Sequence, residues 1–225
     1  MLNGLPVYLV LTFLAAVALT YQLFINAVKK KLVPSLIIFA WMGATAAAAL
    51  SGVFTDVSGI PPRFTAAVAP ALFFIIVLLI TKKGQSFVDG LDVRKLTLLH
   101  IVRIPVELSL YWLAAHKAVP ELMTFEGRNF DIVSGITAPI IYFICFDGTR
   151  VKNRRLLLGW NCICLGLLLT IVINGVLSAP FAFQQFAFDQ PNIAVLYFPF
   201  VWLPSFIVMV VLLSHLAVIR LLLKR

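Results

Sequence analysis

Long apolar runs, interrupted only by short basic clusters, recur along this chain. A helix that crosses the hydrocarbon core of a bilayer needs roughly 20 apolar residues. The runs here approach that length. The chain is 62% hydrophobic and 12% charged, and its mean hydropathy is +1.04. A soluble domain is nearer about half apolar and about a quarter charged. The pattern predicts an all-α, polytopic integral membrane protein, one helical-bundle domain over 1–225.

Seven spans are expected, at about 5–27, 33–54, 64–81, 96–118, 131–147, 156–178 and 195–219. The third carries Pro70 and the fifth is short. The first basic residue is Lys29, after the first run, which reads as a retained helix and not a cleaved signal.

The loops give a direction. The clusters Lys29–Lys31, Lys82 to Lys95, Arg150 to Arg155 and Arg220 to Arg225 hold 14 of the 18 Lys and Arg residues. The alternate loops hold Arg63, Lys117 and Arg128, and Arg103 lies inside a run. Basic residues collect on the cytoplasmic side of membrane proteins. The expected orientation is N-terminus outside and C-terminus cytoplasmic. The net charge of +9 is then a topology signal, and no nucleic-acid partner is expected. The short loops suit a bacterial inner membrane.

The second span pairs small residues, Gly43 with Ala47 and Ala48 with Gly52. Small residues let helices approach closely in lipid. This places the second helix at the centre of the bundle or, less simply, at a homo-oligomer face. Cys145, Cys162 and Cys164 all fall in apolar runs and read as core residues.

The fourth span holds "HIVRIPVE" at 100–107. At about 100° per residue His100, Arg103 and Glu107 share one helix face. Arg103 and Glu107 stand at i, i+4 and can pair along the helix. Pro105 has no N–H, so the Ile101 carbonyl loses its usual donor. Ionisable residues inside a span are functional hypotheses by default. Tyr21, Gln22, Asn26, Asp147, Asn161 and His215 lie at similar depth on other helices. Together these residues form a candidate site for a substrate or a proton, open to the cytoplasm.

The loop at 119–131 carries Glu126, Arg128, Asn129 and Asp131, read as an outer mouth of solvated charges. Its acids could attract cations, although no metal-binding loop pattern is present. The aromatic stretch "PFAFQQFAF" at 180–188 reads as an interfacial lid.

Several chemistries lack their residues. There is no H-E-x-x-H and no G-x-S-x-G, and the last span has no lysine before Lys224. His100 and His215 share a depth and could flank a haem, but no cofactor is assigned. The expected function is transport or conduction of a small solute or ion. The alternatives are a membrane enzyme using buried carboxylic acids on a lipid or isoprenoid substrate, or a structural or sensor protein. The expected partners are the bilayer and a small-molecule, ion or lipid ligand.

Overall fold

The computed structural model describes Leu2 and residues 4–224. Nine α-helices follow one another among the described residues: α1 (Val7–Ala27), α2 (Leu32–Leu50), α3 (Thr65–Ile80), α4 (Lys82–Asp89), α5 (Val93–Leu99), α6 (Arg103–Ala115), α7 (Ile132–Cys145), α8 (Arg154–Leu177) and α9 (Val208–Leu223). The strands described are one short hairpin, β1 (Phe146–Asp147) with β2 (Arg150–Val151).

Five helical runs are long and apolar enough to cross a membrane: Val7–Ala27, Leu32–Leu50, Val93–Ala115, Arg154–Leu177 and Leu203–Leu223. α3 and α4 make a sixth only if taken together, across an 89° bend. α7 has 14 residues, about 21 Å of helix. The seven expected spans therefore correspond to five or six helices of spanning length.

Each departure from the expected runs has a local cause. At the α3–α4 bend the Thr81 hydroxyl accepts from Gly84 N–H at 3.1 Å. A Cβ on Gly84 would stand 2.4 Å from Leu78 Cα, so only glycine lets α4 fold back this tightly. The fourth run tightens to a 3-10 turn at His100–Val102 between α5 and α6. Pro105 denies the Ile101 carbonyl its helical donor, which favours such a break just upstream.

The last helical run begins at Leu203, not near 195. Leu203–Ile207 form a π-turn. Pro204 cannot serve the Phe200 carbonyl, and Leu203 N–H bonds it instead at 2.9 Å.

α2 is peripheral, which removes the central placement read from its small residues. Its buried residues are Met42, Thr45 and Ala49, and a Cβ on Gly43 would meet nothing within 4 Å. Two indoles pin it to the bundle: Trp41 Nε1 donates to Ser205 O and Trp202 Nε1 to Met42 O, both at 3.0 Å. The centre belongs instead to α5, α6 and α9, where Leu96, Leu99, Leu113, Ala217 and Val218 are fully or almost fully buried.

The four basic clusters gather at one end. Asp92 N–H bonds Ala27 O at 3.1 Å and Lys95 Nζ bonds Asn26 O at 2.8 Å. Arg94 reaches Gly148 O at 2.5 Å, and Arg154 reaches Lys224 O at 2.9 Å. Arg220 and Lys224 both hold Asp89. At the opposite end Ile193 N–H bonds Ala118 O at 3.1 Å, and Phe64 stacks on Phe181 at 5.9 Å.

Candidate functional site

Six polar side chains of the bundle centre form one connected chain of hydrogen bonds. Asn161 on α8 donates through Nδ2 to Leu157 O at 2.9 Å. Its Oδ1 lies 3.0 Å from His215 Nδ1 on α9. With the amide so oriented, His215 Nδ1 carries the proton and donates. His215 Nε2 is then free to accept from Arg103 Nη2, 2.8 Å away. Arg103 Nη1 forms an ion pair with Asp131 and also points at Cys164 O, 3.5 Å away. Asp131 N–H donates to Asn129 Oδ1 at 3.0 Å. Asn129 Nδ2 closes the chain by donating to Met123 O at 3.0 Å and to Glu107 Oε2 at 2.6 Å. None of these six residues is more than 5% exposed.

Two parts of this differ from the sequence expectation. Arg103 pairs with Asp131 and not with Glu107. Asp131 and Asn129 are not mouth residues but lie inside the bundle. The cause is the segment after α6. α6 carries the chain from Arg103 to Ala115, about 18 Å, and 116–131 folds back over that distance. This return segment satisfies its own backbone. Thr124 N–H bonds Glu121 O at 2.8 Å, Arg128 N–H bonds Leu122 O at 3.2 Å and Asn129 N–H bonds Thr124 O at 3.1 Å. Met123 and Thr124 are buried with Asn129.

Gly135 sets the distance between α6 and α7. A Cβ there would meet Ile104 Cγ1 at 2.9 Å, Ile104 N at 3.2 Å and Arg103 Cβ at 3.3 Å. α7 therefore lies directly on the backbone of α6 at Arg103. Asp131, one turn earlier, is delivered to the guanidinium.

The other expected site residues lie elsewhere. Tyr21 donates to Ser35 Oγ at 3.0 Å. Asn26 Oδ1 takes Lys31 Nζ at 3.1 Å. Gln22 is exposed on α1, and Asp147 is exposed in the hairpin. These four belong to the basic end of the bundle, because depth along a helix does not say which face a side chain occupies. Glu126 and Arg128 are exposed, as expected of loop charges. Cys145 and Cys164 are buried as expected, whereas Cys162 is exposed.

His100 is buried, and neither ring nitrogen has a partner. Its ring stacks on His215 with centroids 4.0 Å apart and planes at 19°, and Trp160 meets it edge-on at 5.4 Å. Two imidazoles stacked face to face cannot flank a haem iron, so that use of the pair is excluded. A buried polar group without a partner costs about 1–3 kcal/mol. His100→Phe keeps the ring contacts and removes the unpaired nitrogens. Its melting temperature in detergent is expected to equal or exceed that of the wild type. A clear loss would mean that His100 has a polar partner after all.

A cavity of about 220 Å³ adjoins the network. At about 30 Å³ per water it has room for roughly seven water-sized groups. Arg103, Glu107 and Asp131 line it beside Asn192, and most of the remaining wall is apolar. Asn192 Nδ2 donates to Gly175 O at 3.1 Å, and its Oδ1 is a buried acceptor without a partner. Phe181 and Phe183 of the aromatic stretch line the cavity with Phe64. Leu203, Pro204 and Ile207 bring the π-turn to the same wall. Asn192 had no signal in the sequence, since it sits in an ordinary Pro-Asn turn.

No family model, characterised protein or solved structure matches this chain. The chemistry of the site therefore rests on its own geometry. Asp131 is balanced by Arg103. Glu107 has an amide donor but makes no salt bridge among the described residues. It is the carboxyl group lining the cavity that is not engaged in an ion pair among the described residues.

Proposed function

We propose that the chain is an integral membrane protein whose cavity receives a small amphipathic molecule, lipid- or isoprenoid-like in chemistry. The apolar wall holds the body of the ligand. Arg103, Glu107 and Asn192 meet its polar end. The observation that carries this reading is an apolar cavity that ends on a buried charge network. A hydrated ion would need a polar path, whereas an apolar ligand with one polar end matches both parts of this wall. Glu107 supplies the acid or base for chemistry on that end.

The proposed topology has seven passes. Five are the long apolar helices. The third is α3, with α4 lying at the membrane surface. The fifth is α7, completed by the return segment 116–131. Non-helical backbone is tolerated at membrane depth where protein buries it, and this segment bonds itself internally. The basic end faces the cytoplasm under the positive-inside rule, so the N-terminus lies outside.

Transport of the same molecule is a second reading, favoured by the π-turn and Pro204 at the cavity wall. Broken helices commonly line transport sites, and π-turns recur at functional positions.

The test is mass spectrometry of small molecules carried by protein purified from native membranes. Wild type is expected to retain an amphipathic species that Glu107→Gln and the cavity-filling Val172→Trp lose, with melting temperatures close to wild type. Equal retention by all three would defeat the proposal. Uptake of the species into proteoliposomes would assign transport, and its conversion there would assign an enzyme.

A further inference from the structure

A second and larger space, about 1020 Å³, opens between α2 and α3 with α9 as its floor. It has no part in the charge network. α2 is held to the bundle by the two indole bonds near Trp41 and, nearer its start, by Tyr21 of α1, which donates to Ser35 Oγ. Along α2 the cleft runs from Val33 to Trp41, about 12 Å, and along α3 from Thr81 to Pro70, about 17 Å. Half of a hydrocarbon core is about 15 Å. The cleft is thus one leaflet deep, and the Trp41–Ser205 bond lies at its end away from the lysines.

Its mouth is at the basic end and is cationic. Lys29, Lys30 and Lys83 line it, with the hydroxyls of Thr81 and Ser86 and no carboxylate. Six of the other bases of this end are engaged: Lys31 and Lys95 with Asn26, Arg94 with Gly148 O, Arg154 with Lys224 O, and Arg220 and Lys224 with Asp89; Lys82, Arg150, Lys152 and Arg155 lie outside the cleft lining. Among the described residues, the three lysines at the mouth make no ion pair or side-chain hydrogen bond. The right-angle turn into α4 forms a shelf across the mouth, which presents Lys83 above the apolar Phe87.

We infer that this cleft binds an anionic glycerophospholipid of the surrounding bilayer. The acyl chains lie along α2 and α3, and the phosphate meets Lys29, Lys30 and Lys83. At about 30 Å³ per water-sized group, the volume accommodates roughly thirty groups, the order of two acyl chains. Free lysines at the headgroup level attract anionic lipid through the surface potential. The inference rests on the membrane reading but not on any role for Glu107.

The experiment first checks that the full chain leaves membranes only with detergent; release without it would overturn the membrane reading itself. Native mass spectrometry then compares retention of phosphatidylglycerol and phosphatidylcholine. Wild type is expected to keep phosphatidylglycerol selectively. The triple variant Lys29→Gln, Lys30→Gln, Lys83→Gln should bind it about a hundredfold more weakly, with an unchanged melting temperature in detergent alone. Ala71→Trp, which fills the cleft with the lysines intact, should lose both lipids. Equal retention of the two lipids by wild type, or unchanged selectivity in the triple variant, would overturn the inference. So would a lipid-free dimer that buries the cleft.

Discussion

Arg103→Ala is expected to destabilise the detergent-solubilised protein by about 3–5 kcal/mol, the usual penalty for breaking a buried ion pair from one side. The substitution strands the Asp131 carboxylate in the bundle and leaves His215 Nε2 without its donor. At about 2–4 °C per kcal/mol for a chain of this size, the melting temperature should fall by on the order of 10 °C. Arg103→Met combined with Asp131→Asn removes both charges. That double variant should lose less than the sum of the two single losses, with a coupling of about 0.5–3 kcal/mol. Additive losses would mean that the two side chains do not meet.

Gly135→Leu should destabilise the protein by a different route and somewhat less. Even a methyl group at this position stands 2.9 Å from Ile104 Cγ1 and 3.2 Å from Ile104 N. Overpacking of this kind typically costs about 1–3 kcal/mol, and the backbone of α6 cannot rotate away as a side chain can. α7 must lift from α6, which draws Asp131 off Arg103. The expected result is a melting temperature lowered by several degrees, together with loss of the Arg103–Asp131 coupling in the Gly135→Leu background. A variant with wild-type stability and intact coupling would show that α7 is not held by this contact.

Helix content and the gathering of basic residues were legible because both follow from local composition. The apolar runs of α1, α2 and α8 are uninterrupted, and their observed limits lie within a few residues of the expected ones. The basic clusters do meet at one end, joined by bonds such as Lys95 to Asn26 O and Arg154 to Lys224 O. The return segment was not legible. Hydropathy scores 119–131 as a polar loop, yet Thr124 and Asn129 spend their polarity on their own backbone and on Glu107. The one available hint was the fifth run, too short to span, with "EGRNFD" immediately before it. His215 and Asn161 were recognised, but their connection to Arg103 depends on helix rotation. The central placement of α2 failed because small residues permit close packing within the chain without requiring it.

The sequence stripe of His100, Arg103 and Glu107 also changes meaning in three dimensions. It does not act as one set. His100 turns to an aromatic stack, Arg103 to α7 and α9, and Glu107 to the return segment and the cavity.

The most direct measurement is a cryo-electron microscopy map of the protein purified from native membranes into nanodiscs, for wild type and Glu107→Gln. The account predicts density in the wild-type cavity, with an apolar body against the π-turn and a polar end near Glu107 and Asn192. It also predicts that Glu107→Gln empties the cavity while Arg103 stays on Asp131. An empty wild-type cavity around the same network would contradict the proposed ligand site and leave the network as a device for packing helices.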